Sequence, residues 1–225
     1  MVEESNLPVN AEARAPVRRR LSRAEKSEKT KADLLKAAAK IVGEVGYQNA
    51  MVSKITERAN VSQGTFYNYF ESQQALFDQL LPALGEELIK HIRRVSMDAP
   101  SAFERERRSF LAFFDFLKAN PEFYRILYEA ELFAPEGYKT HVEQIASHYI
   151  RTLEREAAQG QIPIASRQEA EAVAFMLMGM RHYLCMRFAR KDGQTMLLPD
   201  AVVDTYLRTI MSGLYGAGEP GAKRS

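Results

Sequence analysis

Residues 52–70 read VSKITERANVSQGTFYNYF, and they contain the most specific structural pattern in the sequence. Apolar side chains such as Val52 and Ile55 recur at helical spacing in its first half, which predicts a short helix. Asn60 then tolerates the positive φ of a tight turn, and Ser62 is placed to cap a second helix through its hydroxyl. Two short helices joined by a three-residue turn are typical of a helix-turn-helix.

The second helix of this motif has an apolar face and a polar face. Phe66 and, near the helix end, Phe70 are expected in the core, whereas Tyr69 fits either side equally well. Five residues remain for a partner: Gln63, Gly64, Thr65, Tyr67 and Asn68. In helix-turn-helix proteins the second helix enters the DNA major groove, and its free amides and positive dipole end suit a phosphate. Outside such a motif, Tyr67 would be an ordinary amphipathic side chain.

The rest of the chain predicts further helices on either side of the motif. Residues 30–33 resemble a capping box that opens the first helix, and Gly46 suits its end. Later starts are predicted at Ser101, Asn120-Pro121, Ser166 and Pro199-Asp200, and later ends at Gly160, Asp192-Gly193 and Gly216. No segment has sustained strand alternation. The fold class is therefore all-α, with about nine helices.

One long helix, from Ser72 to about Val95, contains a proline. Pro82 removes a backbone hydrogen bond and collides with the carbonyl at Asp78, so we predict a kink over residues 78–85. This helix joins the head to the body. We therefore expect a ligand to shift it and to change the spacing of two recognition helices.

The charge is concentrated at one end of the chain. Residues 14–70 contain twelve Lys/Arg and five Asp/Glu, a net +7, although the 225-residue chain carries only +2. Such asymmetry indicates a head that faces a polyanion. Residues 1–28 are polar, contain two prolines and are expected to be a disordered basic leader. Arg18-Arg19-Arg20 leaves open a loose arm on the phosphate backbone.

Composition excludes several classes of protein. The single cysteine, Cys185, rules out an internal disulfide and a Cys-rich metal site. The longest apolar run has nine residues, against the roughly 20 of a membrane span, and the N-terminus has no secretory core. We predict no membrane association and a cytoplasmic location. No catalytic motif, metal site or cofactor site is present, so an enzyme is not expected.

Gly46-Tyr47, the quoted stretch and Ser72 together closely resemble the DNA-binding signature of TetR-family (tetracycline-repressor-like) transcriptional regulators. The resemblance covers about 45 residues, Lys31 to Leu76. It implies a three-helix DNA-binding head on a larger helical ligand-binding and dimerisation body. It further implies a homodimeric repressor that binds a palindromic double-stranded operator and is released by a small molecule. The expected DNA contacts are Ser53, Lys54, Ser62, Gln63, Gly64, Thr65, Tyr67, Asn68 and Tyr69.

The sequence departs from the family pattern at two phosphate-contact positions. Met51 stands where the family usually has Thr or Ser, so Ser53 or Gln48 would have to compensate. Gln73 replaces a frequent Lys, which removes one cation. We expect the salt dependence of binding to be shallower by about one counterion unless Lys54 or the arginine arm substitutes.

The resemblance divides the chain into a leader (1–28), a helix-turn-helix domain (29–74), a ligand-binding and dimerisation domain (75–217) and a flexible tail (218–225). The body is rich in aromatic residues, most of which belong in a core, but an apolar pocket would have the same lining. Arg181 follows a Met-rich apolar stretch and is either the partner of an acidic head group or a salt-bridged arginine. The candidate ligand contacts are Phe113, Phe114, Leu117, Tyr124, Tyr128, Glu129, His148, Met178, Arg181 and His182.

The last two predicted helices have wide apolar faces. In the family these two helices form the dimer, although the same faces would serve equally well as core. The candidate interface is Ala170, Val173, Leu177, Met180, Leu184, Val202, Val203, Tyr206 and Ile210. The alternative to a DNA-binding regulator is an all-α small-molecule-binding protein or enzyme with no DNA role.

Overall fold

A computed structural model describes residues 22–191 and 194–213. Nine α-helices occupy these residues: α1 (Arg23–Val45), α2 (Val52–Arg58), α3 (Gln63–Tyr67), α4 (Gln73–Ser96), α5 (Ala102–Ala119), α6 (Glu122–Phe133), α7 (Pro135–Ala158), α8 (Arg167–Leu184) and α9 (Asp200–Gly213). The all-α prediction is confirmed. A short 3-10 turn, Tyr47–Asn49, joins α1 to α2.

The segment between α8 and α9 is not purely helical. A π-helical turn, Cys185–Ala189, extends α8. Two two-residue strands follow, β1 (Arg190–Lys191) and β2 (Gln194–Thr195), and they pair antiparallel. The predicted break at residues 192–193 lies outside the described residues. The absence of period-two alternation in the sequence did not exclude strands this short.

The first helix begins earlier than the sequence predicted. Ser22 is its N-cap and accepts a hydrogen bond from the Glu25 N–H, while the Glu25 carboxylate accepts one from the Ser22 N–H. Thr30 lies inside the helix and donates its hydroxyl to the Lys26 carbonyl. Residues 23–28, expected in the leader, are therefore part of α1. Residues 1–21 of the leader and the predicted tail lie outside the described residues.

Most other predicted helix limits within the described residues agree closely with the structure, and the predicted end at Gly216 lies outside them. Ser101 and Ser166 cap α5 and α8, and Gly46 and Gly160 have the positive φ expected after helix ends. Asn120 is the exception, because its amide donates to the Phe116 carbonyl at the end of α5 instead of capping α6. These ends fix short connections between the helices of the body.

The long helix α4 passes through the body and carries Pro82 in its interior, with helix on both sides. It packs tightly against α7: a β-carbon on Gly137 would collide with the backbone of Asp78, and one on Gly85 would collide with His141. Two glycines thus allow α4 and α7 to approach closely on either side of the proline. The predicted kink of α4 stays a prediction.

One continuous core runs from the head into the body and includes Leu34, Phe66, Leu80, Phe110 and Phe123. Within the residues described, no helix is both long and apolar enough to span a bilayer.

Candidate nucleic-acid interface and ligand cavity

The turn between α2 and α3 has the geometry that its sequence predicts. Asn60 has φ +53°, the only positive φ of a non-glycine residue in the described part of the chain. Ser62 caps α3, since its hydroxyl accepts from the Thr65 N–H at 3.1 Å. The Ser62 and Thr65 hydroxyls also lie 2.9 Å apart. The Thr65 hydroxyl is thus held within the cap.

Because Asn60 adopts a left-handed conformation, it provides a local test of the turn. Asn60→Val is expected to destabilise the protein by about 1–2 kcal/mol, since a β-branched residue is strained there, whereas Asn60→Gly should change stability little. Urea unfolding of the two variants measures the difference. Equal stability of Asn60→Val and the parent would contradict the assigned turn.

The helix α3 is anchored by its aromatic residues and presents its polar residues outward. Phe66 and Phe70 are buried at 0% and 1% exposure, with ring centroids 5.5 Å apart. Tyr67 is 56% exposed, and its ring packs edge-on against Phe66 at 5.2 Å. The buried pair fixes the position of the helix, so the outward residues are held in place.

All nine residues expected at DNA lie on or near this outward surface. Seven are exposed, and Thr65 and Tyr69 are half-buried. Tyr69 packs against the core with part of its side chain and leaves the rest exposed. The seven exposed residues are Ser53, Lys54, Ser62, Gln63, Gly64, Tyr67 and Asn68.

The two departures from the family pattern have distinct structural outcomes. Met51 occupies the N-cap position of α2 and makes no side-chain capping hydrogen bond there. Gln73 donates its amide to the Ala50 carbonyl at 2.9 Å, so it ties α4 to the loop before α2. Gln73 therefore positions the helix-turn-helix motif, although it brings no charge.

A second feature, missed in the sequence, fixes the head on the body. Arg125 donates to the carbonyls of Gly43 and Glu44 at 3.2 and 3.0 Å. Glu129 accepts from the Tyr47 N–H at 3.0 Å and pairs with Arg125 at 2.7 Å. We call Arg125 and Glu129 the α6 clasp. It satisfies carbonyls and an amide at the end of α1, where the last turn has no basic residue of its own.

Two glycines make the clasp possible. A β-carbon on Gly43 would collide with the Glu122 side chain, and one on Gly46 would lie within 3 Å of the Arg125 and Glu129 side chains. Glu122 also pairs with Lys40 at 2.7 Å. The spacing of Glu122, Arg125 and Glu129 on one helical face was the only signal in the sequence, and it did not specify a partner.

The body contains a cavity of about 310 Å³ between α4, α5, α6, α7 and α8. Seven of the ten predicted ligand contacts lie on its wall: Phe113, Leu117, Tyr124, His148, Met178, Arg181 and His182. The other three do not. Phe114 is buried in the core, Tyr128 is 67% exposed, and Glu129 belongs to the α6 clasp. The polar contact proposed for Glu129 is therefore corrected to a structural one.

Buried polar groups on the cavity wall are mostly paired. Arg181 contacts the Glu106 carboxylate at 2.8 Å and the Tyr149 hydroxyl, and Tyr206 donates to the same carboxylate. Arg105 pairs with Glu156 at 2.7 Å. Of the two interpretations of Arg181, the structure thus shows the salt-bridged arginine.

Two of the three histidines on the cavity wall are neutral at pH 7. Burial lowers the pKa of His141 to about 4. Burial also lowers the pKa of His148 to about 4, helped by surrounding arginines such as Arg151 and Arg93. Neither imidazole contributes positive charge to the cavity at neutral pH.

The predicted dimer face is the inward face of α8 and α9. Ala170, Leu177, Tyr206 and Ile210 are buried within one chain, and the remaining five residues (Val173, Met180, Leu184, Val202 and Val203) are half-buried against the core. The four buried residues are core, so the prediction is corrected for them, and for the five half-buried residues it stays a prediction. Helical periodicity identified an apolar stripe but did not indicate which apolar stripe faces the same chain. The outward surface of this region instead exposes Phe175, Met176, Tyr183, Met186 and Met211.

The second helix of the capped helix-turn-helix faces outward, and a helical body follows the motif. This geometry is that of helix-turn-helix proteins. Residues 34–80 match the family model described as bacterial regulatory proteins, tetR family. The helix-turn-helix part of the chain is thus similar to that of TetR-family regulators.

Individual relatives agree with this assignment. The chain is 30% identical over 130 residues to the HTH-type transcriptional activator FasR of Mycolicibacterium smegmatis, across 56% of this chain and 59% of that protein. It is 26% identical over 152 residues to the HTH-type transcriptional repressor NicS of Pseudomonas putida, across 67% of this chain and 68% of that protein. The match to FasR thus spans less than two thirds of its length.

Solved structures share the fold. A putative TetR-family regulator from Mesorhizobium loti superposes with a TM-score of 0.68 at 15% identity, covering 85% of this chain and 99% of the other. The fatty acid degradation regulator FadR of Bacillus halodurans superposes with a TM-score of 0.63 at 20% identity, covering 81% and 98%.

Proposed function

We propose that this chain is a cytoplasmic, DNA-binding transcriptional regulator and not an enzyme. The observation that carries the proposal is the orientation of α3: Phe66 and Phe70 anchor it, while Gln63 and Tyr67 are exposed. A helix held in this way can enter a major groove without rearrangement. The relatives include an activator and a repressor, and repression is the usual role in the family.

Selection of bound fragments from genomic DNA tests this function. We expect the purified protein to retain a small set of fragments that share a palindromic site, with affinity that falls steeply as salt rises. An all-α small-molecule-binding protein with no DNA role would retain no fragment above background at low ionic strength, and that result would replace the proposal by its alternative.

We further propose a homodimer, because two half-sites one helical turn apart are read by two copies of α3. The surface proposed to pair is the outward apolar face of α8 and its π turn, with Phe175, Met176, Tyr183 and Met186. Exposed aromatic and methionine side chains grouped on one helix are typical of an interface. Met176→Glu is expected to yield monomers by sedimentation, whereas Met97→Glu, at a methionine 71% exposed after α4, should leave the dimer intact. A dimer that withstands Met176→Glu would exclude this face.

The cavity is proposed to hold a small apolar or amphipathic effector that releases the DNA. Its wall is largely aromatic and aliphatic, as effector pockets generally are. The helix α6 provides a direct route to the head. One side of this helix lines the cavity through Phe123, Tyr124 and Leu127, and another carries the α6 clasp on the end of α1. A ligand that shifts α6 would therefore alter the support of the helix-turn-helix motif, in addition to the proposed movement of α4.

The α6 clasp gives a testable consequence. Arg125→Met is expected to weaken operator binding several-fold, because charge-assisted hydrogen bonds of about 1.5–3 kcal/mol hold the head in its orientation. Amide hydrogen exchange at Tyr47 should also become faster in Glu129→Ala, which removes its acceptor. Arg167→Met is the matched control, since Arg167 makes a surface pair with Glu154 in the body. Equal DNA affinities of the Arg125 and Arg167 variants would show that the clasp does not position the head.

A further inference from the structure

The first observation concerns the arginines inside the cavity. Arg105 and Arg181 both lie on its wall, and each is paired with a buried glutamate, Glu156 and Glu106 respectively. Their formal charges therefore cancel. An anion that bound either guanidinium would have to leave a buried carboxylate without its cation, which is strongly unfavourable. The interior of the cavity thus offers no ready site for a negative head group.

A different arginine, Arg190, lies outside the cavity against one of its wall residues. The guanidinium carbon of Arg190 lies 4.3 Å from the ring centroid of Tyr124, a wall residue that is only 4% exposed. Arg190 itself is exposed, and it makes no ion pair with a carboxylate within residues 22–191 and 194–213. Among the described residues, no acidic side chain neutralises this cation, and its guanidinium contacts Tyr124 beside the apolar cavity.

The surroundings of Arg190 are aromatic. Tyr124 stacks on His182, also a wall residue, with ring centroids 6.1 Å apart, and on the exposed Tyr128 at 6.3 Å. A guanidinium that stacks on a ring keeps N–H donors at its edge available for a second partner. From Tyr124 the wall continues inward through Phe123, Leu127 and Leu117. The positive charge of Arg190 thus lies next to the apolar wall of the cavity at Tyr124.

We infer that Arg190 binds the head group of an amphipathic carboxylate whose apolar tail occupies the cavity. The guanidinium fork matches the two oxygens of a carboxylate, and the ring of Tyr124 holds the fork in place. A positively charged amphiphile is disfavoured there by repulsion from Arg190. This inference rests on the effector cavity of the proposed function and assigns the acidic group to Arg190 in place of Arg181.

Calorimetric titration with three twelve-carbon probes tests this site: dodecanoate, the neutral dodecanol and the cationic dodecyltrimethylammonium, each below its micelle concentration. The parent protein is expected to prefer dodecanoate. Arg190→Gln should weaken dodecanoate binding by about tenfold to a hundredfold, the equivalent of one charge-assisted pair, and leave dodecanol binding unchanged. Arg190→Lys keeps the positive charge and loses the planar guanidinium. Its dodecanoate affinity should lie between that of the parent and that of Arg190→Gln.

Arg187→Gln is the matched control. Arg187 is also exposed and its guanidinium also stacks on a ring, 5.3 Å from the centroid of Phe188, but neither residue lines the cavity. Dodecanoate affinity in this variant should stay within twofold of the parent. Equal losses in the two glutamine variants, or a parent protein that binds dodecanol as tightly as dodecanoate, would overturn the inference. The second comparison needs no variant and so does not depend on the folding of one.

DNA binding is measured separately, without any amphiphile. Arg190→Gln should retain the parent's affinity for the selected fragment, because Arg190 is in the body. If the parent binds no DNA, the proposed function fails while the probe preference still tests the anion site. If the parent binds DNA and shows no preference for dodecanoate, only the anion site fails.

Discussion

Tyr67→Ala is expected to weaken binding to the selected operator by about tenfold to a hundredfold, the 1–3 kcal/mol that a well-placed contact in a protein–DNA interface contributes. The side chain is 56% exposed, so its removal should leave the fold intact. Tyr67→Phe keeps the ring against Phe66 and removes only the hydroxyl. A smaller loss in that variant would assign part of the effect to a phosphate hydrogen bond.

Tyr128→Ala provides the matched control for Tyr67→Ala. Tyr128 is 67% exposed and lies on α6 in the body, away from the helix-turn-helix motif. Fluorescence anisotropy with a labelled operator duplex measures all three variants at one salt concentration. An unchanged affinity in Tyr67→Ala, or an equal loss in Tyr128→Ala, would contradict the outward-facing interface.

Arg181→Met is expected to destabilise the protein by about 3–5 kcal/mol. The substitution leaves the Glu106 carboxylate buried at 6% exposure without its cation, and an unpaired buried charge is costly. It also removes the contact with the Tyr149 hydroxyl. Urea unfolding measures the change in free energy of unfolding.

The double variant Arg181→Met/Glu106→Gln separates charge from packing. It removes both charges and keeps an amide oxygen that can still accept from Tyr206. We expect it to recover a large part of the lost stability, since a neutral buried pair avoids the desolvation cost. A loss below 1 kcal/mol in the single variant would show that Arg181 has no structural role in this network. A double variant that is less stable still would show that the unpaired Glu106 charge does not cause the loss of stability.

The sequence predicted the helix-turn-helix motif well because local rules determine it. Asn60 tolerates the left-handed turn, and Ser62 is followed by a helix it can cap, so each residue's preference agrees with its place in the fold. The first helix start was wrong although the sequence contained the answer. Ser22 and Glu25 form a full capping box, whereas the weaker pattern at Thr30 lies inside the helix.

The remaining errors involve contacts between distant residues. Glu106 and Arg181 are 75 positions apart, and Tyr47 and Glu129 are 82 apart, so no local pattern pairs them. Four residues predicted at the dimer face are core for a related reason. A stripe such as Ala170 and Leu177 is apolar whether it packs against its own chain or another, and only the fold distinguishes the two.

Hydroxyl-radical footprinting of the selected operator with the full-length protein tests the central claim most directly. The account predicts two protected half-sites, centred about one helical turn apart and related by symmetry, with protection that disappears as salt rises. It also predicts that Tyr67→Ala loses protection at both half-sites together. A purified protein that leaves every fragment uniformly cleaved at low ionic strength would contradict the account.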